Sequence, residues 1–362
     1  PKASELVRMS NLAVAYDALA GCACAMAGVT TPTRSAAATA ARRKIISLPS
    51  TRALSSLHYP ATVRQVKGMV AVPAGEFVMG SDSHYPEEGP AHPRSVDAYE
   101  IDAHPVTNAE FRRFVKDTGW VTTAEQAPDA ADFPDADPRD LVPGSLVFTP
   151  TPAPVPLDDW QRWWAWVPGA DWRHPQGPSS TLHGLDRHPV VHVSYEDASA
   201  YAKWAGKSLP TETEWEYAAR AGRADTTYAW GEEMAPRGRA MANTWVGEFP
   251  WRNDDHRHPL TSPVGAYAPN PWGLVDMIGN VWEWTSSSWT ESHDPHSVAA
   301  PATACCGVSP IAEGDRRTIK GGSHLCAPSY CRRYRPPARQ GQAVRSTTSH
   351  IGFRCVSGSA RN

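Results

Sequence analysis

The stretch Lys320-Gly-Gly-Ser-His-Leu-Cys-Ala-Pro-Ser-Tyr-Cys-Arg-Arg-Tyr-Arg335 decides how the rest of this 362-residue chain is read. Cys326 and Cys331 stand five residues apart. On an extended strand they would face opposite ways, about 16 Å from each other. Pro328 and Ser329 predict instead that the backbone folds back and the sulfurs meet. Two converging thiolates form a soft pair suited to Cu(I). A disulfide is the competing reading of any such pair. Arg332, Arg333 and Arg335 follow closely and would favour negative charge at Cys331. Cys305-Cys306 is vicinal and too constrained to bridge easily; that pair and Cys355 read as structural or incidental.

Upstream, Gly273-Leu-Val-Asp-Met-Ile-Gly-Asn-Val-Trp-Glu-Trp284 gathers Asp276, Gly279, Asn280 and Glu283 around a glycine-containing turn. Carboxylates and backbone carbonyls are what Ca2+ takes, about six to eight hard oxygens in all. A loop held by Asx-type hydrogen bonds is the plain alternative. His188-Pro-Val-Val-His192 has the spacing of a helical metal pair, but Pro189 and two valines predict an extended segment. No His-Glu-x-x-His, Cys-x-x-Cys, phosphate-binding glycine loop or Gly-x-Ser-x-Gly elbow occurs. Zinc hydrolase, nucleoside-triphosphatase and serine esterase readings lose support accordingly.

Three capping boxes predict helices: Thr107 with Glu110, Ser194 with Asp197, and Thr211 with Glu214. Gly119, Gly206 and Gly222 mark their ends. Val70–Met79 reads as a strand broken at Pro73-Ala74-Gly75, followed by a loop made acidic by Asp82, Glu87 and Glu88. Ser95–Ile101, Val190–Val193, Pro263–Tyr267, Arg317–Lys320 and Ile351–Val356 read as further strands. The pattern is one large α+β domain over residues 69–357 with long ordered loops, and 358–362 as a tail.

Composition bounds the function classes. Gly and Pro number 26 and 34, charged residues are 20% and hydrophobic residues 41%: a loop-rich chain with enough apolar surface for a core. No run approaches the roughly 18 apolar residues of a membrane helix, so no membrane partner is expected. A formal net charge of −3 provides no positive field for nucleic acid. Seven cysteines are too few for a disulfide scaffold. The averages join two unlike parts. Residues 1–68 carry nine Lys/Arg against two Asp/Glu and no Trp, whereas all fifteen Trp follow, from Trp120 on. The first part cannot bury enough to order itself and is expected to be a disordered basic extension, with Met69 the natural start. Leu19-Ala20-Gly21-Cys22 looks like a lipoprotein box, but Asp17 interrupts the apolar run before it.

Together, the 320–335 stretch, Ile351-Gly-Phe-Arg-Cys355, Gly279-Asn-Val-Trp-Glu-Trp284, Leu209-Pro-Thr-Glu-Thr-Glu-Trp-Glu-Tyr-Ala-Ala-Arg220, Asn243-Thr-Trp245 and His188-Pro-Val-Val-His-Val-Ser194 resemble the formylglycine-generating enzymes. The resemblance covers residues 69–357. Many of these motifs are shared with the wider sulfatase-modifying superfamily, whereas Cys-x4-Cys inside Gly-Gly-Ser…Arg-Tyr-Arg is specific to the enzymes. It implies a C-type-lectin-like α+β fold of low regular content. It implies oxidation of the Cys of a Cys-x-Pro-x-Arg stretch in an unfolded sulfatase polypeptide to Cα-formylglycine, using O2 and a thiol reductant. Cu(I) would sit between Cys326 and Cys331, with the substrate thiolate as third ligand. Ser323 and Tyr330 would line the oxygen pocket, and Trp282 the substrate groove. Two structural Ca2+ sites would follow. One uses Asp276 (an Asn in relatives), Gly279, Val281 and Glu283. The other uses Asn243, Thr244 and an acid at Asp254 or Asp255, here assigned to Asp255, in a loop one residue shorter.

Two departures bear on this. His350 stands where relatives have Asn. Residues 69–304 hold no Cys, so the extra disulfides of secreted animal members are absent. That fits a reducing cytoplasm in which the thiol pair stays available for copper. A non-catalytic lectin-like binding module on the same fold is the alternative, and loss of either thiol would have favoured it. An iron-dependent sulfoxide synthase would need an extra helical domain with a His-rich motif, and residues 1–68 hold only His58.

Overall fold

The computed structural model describes residues 68–130, 137–224, 226–294 and 316–358. The expected basic extension apart from Gly68, the Leu19–Cys22 box, Cys305-Cys306 and all but the first residue of the tail lie outside the described residues. Helices form at the three capping boxes: α1 (Asn108–Thr118), α2 (Tyr195–Trp204) and α3 (Glu212–Arg220). In each, the cap hydroxyl accepts from the third helical N–H and the acid there takes the cap's own N–H, as in Thr107 N to Glu110 Oε2 at 2.9 Å. Gly119 closes α1 in the left-handed region, φ 69°. No helix among the described residues is long and apolar enough to cross a membrane.

The strands are short and spread over several small sheets. β1 (Met69–Val72) and β2 (Gly75–Met79) part at Pro73-Ala74, as expected. Ser95–Ile101 is not one strand. β3 (His92–Val96) pairs with β2, while β4 (Tyr99–Asp102) joins a sheet ordered β1-β4-β13 with β13 (Val356–Ser357). A second sheet runs β11-β10-β9-β12: β11 (Arg339–Ala343), β10 (Arg316–Lys320), β9 (Trp282–Ser288) and β12 (Ile351–Gly352). Ile351–Val356 therefore splits between two sheets, with β12 parallel to β9 and β13 antiparallel to β4. Two hairpins complete the set: β5 (Gly144–Phe148) with β6 (Trp164–Pro168), and β7 (Gly247–Glu248) with β8 (Arg252–Asn253).

Val190–Val193 and Pro263–Tyr267 belong to no sheet, contrary to expectation. Their backbone groups are satisfied one at a time by different neighbours. Val190 N donates to Val106 O, His192 N to Thr348 O, and Val264 N to Arg187 O. These backbone groups are thus paired without a ladder.

Two apolar clusters meet at the thiol loop. The larger contains α1 to α3 side chains with Cys326, Cys331 and Tyr334. The smaller is aromatic, built on Phe148, Trp163, Trp164, Trp166, Trp245 and Phe249, and takes Leu325 and Ala327. Alternate residues of 325–327 therefore point into opposite cores, while Tyr330 packs against both.

Candidate functional site

β10 ends at Lys320, whose ammonium is buried against Glu216 Oε2 (3.0 Å), Glu212 Oε1 (3.4 Å) and Pro337 O (3.2 Å). This anchor fixes where the next loop begins. At Gly322 the backbone is left-handed, φ 72°, and a Cβ would lie 2.4 Å from Arg333 O and 3.2 Å from Cys326 Sγ. Glycine lets the loop close over its own sulfur. Cys326 N donates to Ser323 O (3.0 Å), then Tyr330 N and Cys331 N both donate to Ala327 O (3.1 and 2.9 Å). That turn returns the chain as Pro328 and Ser329 predicted. It brings Cys326 Sγ and Cys331 Sγ to 3.3 Å, unbridged and respectively 2% and 8% exposed. Ser323 is also buried; its N–H donates to Cys326 Sγ (3.4 Å) and its Oγ accepts from Leu325 N (3.2 Å).

Aromatic rings hold the other wall. Tyr330 stacks on Phe249 with centroids 4.4 Å apart and meets Trp163 edge-on at 5.5 Å. Trp282 lies in the larger core with Cys326 and Cys331, only 2% exposed, so it backs the site and presents little surface to a groove. His350 is buried against Trp164, 4.8 Å between rings, with Nδ1 2.8 Å from Thr348 Oγ1. Burial pushes its pKa well down, and His324 and His192 nearby add to that. His192 is likewise buried, held by Ser145 Oγ (2.6 Å) and Pro175 O (2.9 Å), and pushed down to about 4 by desolvation. The His188–His192 spacing makes no metal pair: His188 bonds Thr261 Oγ1 instead.

Of the arginines after Cys331, Arg333 and Arg335 are engaged by carboxylates, whereas Arg332 Nε donates to Pro328 O (3.2 Å). Arg335 forms a bidentate pair with the buried Glu88 (2.5 and 2.7 Å). Arg333 pairs with Glu87 at 2.5 Å and lies over the Tyr85 ring at 4.0 Å. Arg332 N donates to Tyr85 Oη (3.0 Å). The acidic turn at Pro86–Glu88 is thus a clamp on the backbone just beyond Cys331, which sequence reading missed because nearly the whole domain separates the partners.

The 276–283 turn is laced to the thiol loop through backbone bonds: Gly279 N to Gly321 O (3.0 Å), His324 N to Asn280 O (3.0 Å) and Asn280 N to Asn243 O (2.8 Å). Asp276 is 7% exposed, and Gly265 N donates to its Oδ2 (2.7 Å). Desolvation pushes its pKa up to about 6. Glu283 is fully buried and committed: Arg354 takes both oxygens (2.7 and 2.8 Å) and Trp215 Nε1 bonds Oε2 at 2.8 Å. Val281 is buried in the same turn. Asn243 and Thr244 are buried beside it. Of the two acids, Asp255 is turned inward, its side chain 9% exposed against 49% for Asp254, though it pairs with Arg257. Among the described residues, no three His, Cys, Asp or Glu side chains converge as a metal cluster.

A family model described as a sulfatase-modifying factor enzyme 1-like domain matches residues 55–359. The chain belongs to the formylglycine-generating enzyme family. A formylglycine-generating enzyme of Mycobacterium tuberculosis is 54% identical over 293 residues, covering 80% of this chain and 97% of the relative. One from Thermomonospora curvata is 44% identical over 295 residues, covering 80% and 93%. A Bos taurus protein named inactive C-alpha-formylglycine-generating enzyme 2 is 38% identical, covering 82% and 90%. Because the family includes a member so named, the thiol pair bears on chemistry more directly than membership does. The pair fits a Cu(I) ion: two soft sulfurs, convergent and buried. The turn fits Ca2+ at Asp276, a buried carboxylate whose burial cost a cation would offset; Glu283 is already neutralised by Arg354.

Proposed function

We propose that this chain matures sulfatases, converting the Cys of a Cys-x-Pro-x-Arg segment in an unfolded polypeptide to Cα-formylglycine. The observation that carries the reading is the buried, unbridged pair Cys326–Cys331 at 3.3 Å on an immobilised loop. The chemistry balances with O2 and an external thiol. A –CH2–SH group, O2 and a pair of thiols become –CHO, hydrogen sulfide, water and a disulfide. Cu(I) held by Cys326 and Cys331 would supply the binding of the substrate thiolate and the one-electron chemistry with O2.

The chain's own residues do the rest. The two cores fix both sulfurs and keep bulk water from them. Ser323 Oγ accepts the Leu325 N–H, which leaves its own proton to offer to a ligand above the thiols. Tyr330 is held flat by Phe249 and Trp163, so its hydroxyl is positioned rather than mobile. Ca2+ at Asp276 with Gly279 and Val281, and at Asn243, Thr244 and Asp255, would brace the turn behind the loop, while Glu283 stays bound to Arg354. A reducing compartment such as the cytoplasm suits a thiol pair that must stay unbridged. The test is incubation of the copper-loaded protein with a Cys-x-Pro-x-Arg peptide, thiol and air. An aldehyde captured by a hydrazide probe is expected; none from copper-loaded protein overturns the reading in favour of a non-catalytic module.

A further inference from the structure

Two groups of rings flank the thiol loop, and they differ in chemistry. On one side Tyr330 stacks on Phe249, and a phenylalanine ring gives up an electron with difficulty. On the other side Tyr334 stacks on Tyr228, with centroids 6.1 Å apart and 14° between planes, and Tyr228 stacks on Trp230 at 5.2 Å and 4°. Every ring in this second group is readily oxidised by one electron.

The ladder has an inner and an outer end. Tyr334 is 3% exposed, in the same core as both thiols. It follows Arg333, whose carbonyl abuts Gly322 beside Cys326 Sγ. Burial, then Tyr228 and the two cysteines, hold its hydroxyl well above the usual range, so it is protonated at neutral pH. Tyr228 and Trp230 are half-buried, and Trp230 Nε1 donates to Glu233 O at an exposed position (2.8 Å). The three stacked rings therefore lead from the core that holds both thiols to the surface.

We propose that Trp230, Tyr228 and Tyr334 form an electron relay that protects Cys326 and Cys331 when O2 reacts at the site without peptide bound. The inference rests on the copper reading of the thiol pair. Tyr334 gives one electron and its phenolic proton to the oxidised site. Tyr228 restores Tyr334 in the same way, and Trp230 then restores Tyr228. An external thiol at the surface returns one electron and one proton to Trp230. Four such passages reduce one O2 to two waters while four thiols leave as two disulfides, so each oxidising equivalent ends on the reductant and not on the ligand sulfurs.

The test uses the full chain, copper-loaded, in air, with limiting thiol and no peptide, followed by mass mapping of oxidised residues. The expected result is copper-dependent oxygen addition at Trp230 and Tyr228 before Cys326 and Cys331. Tyr228→Phe keeps the ring but breaks the relay. Oxidation should then fall on the two cysteines in the peptide-free reaction; with peptide added afterwards, several-fold fewer turnovers should precede inactivation, while the initial aldehyde rate of fresh protein and its melting temperature hold. Trp230→Phe should behave alike. Equal cysteine loss in wild type and both variants, or Trp230 oxidation independent of copper, overturns the relay alone. Absence of aldehyde from wild type overturns the relay together with the function it rests on.

Discussion

Asp276 and Glu283 were equivalent in the sequence, two acids in one turn, and the fold separates them. Glu283 answers Arg354, 71 residues away, a partner that local spacing does not reveal. Glu283→Ala would strand that buried guanidinium at a cost of about 3–5 kcal/mol, so it cannot report on calcium cleanly. Asp276→Ala can. Calcium should raise the melting temperature of the wild type, as a ligand of the native state does, and leave Asp276→Ala unmoved. An unchanged calcium shift in the variant would place the ion elsewhere. His192 gives a pH test. Its pKa is about 4 in the fold against 6.5 in the unfolded chain. Between those values the unfolded chain holds a proton that the native state lacks, so stability is present above pH 6.5 and lost as pH falls toward 4, by about 3 kcal/mol. Asp276 acts oppositely: its raised pKa makes the metal-free fold less stable as pH rises from 3.8 toward 6. His192→Asn, an exchange that tolerates the local φ of 59°, should reduce proton uptake on acid unfolding by about one. An unchanged pH slope, followed by denaturant melts, would contradict the assignment.

At the scale of elements, the helices were legible and half the strands were not. A capping box is written within four residues, and all three hold. β5 and β6 pair Leu146 with Trp166 and Phe148 with Trp164 across a long loop, and no local signal fixes such a register. The clamp of Pro86–Glu88 on Arg333 and Arg335 was hidden for the same reason. Burial pushes the Glu88 carboxyl up despite Arg335, so the pair is held by its partner and not by solvent. Glu88→Gln should leave Arg335 charged and unmatched, a loss of about 3–5 kcal/mol in denaturant unfolding. A loss below about 1 kcal/mol would show that water reaches the clamp.

For the whole molecule, the thiol loop was readable because its turn spans five residues, whereas its setting between two cores depends on Leu325, Cys326 and Ala327 facing alternately into each. The tryptophan-free residues 1–68 predict that a chain starting at Met69 keeps its melting temperature and turnover; a large loss of either would show that the preceding segment packs on the domain. The central claim is that Cys326 and Cys331 together are a copper site and not a latent disulfide. Titration of Cu(I) against a competing chelator, for wild type, Cys326→Ser and Cys331→Ser, tests it most directly when read beside melting curves of the metal-free proteins. One tightly bound Cu(I) is expected in the wild type, with severe loss in each variant and closely similar melting temperatures. A wild type that binds no Cu(I), with both serine variants strongly destabilised, would contradict it.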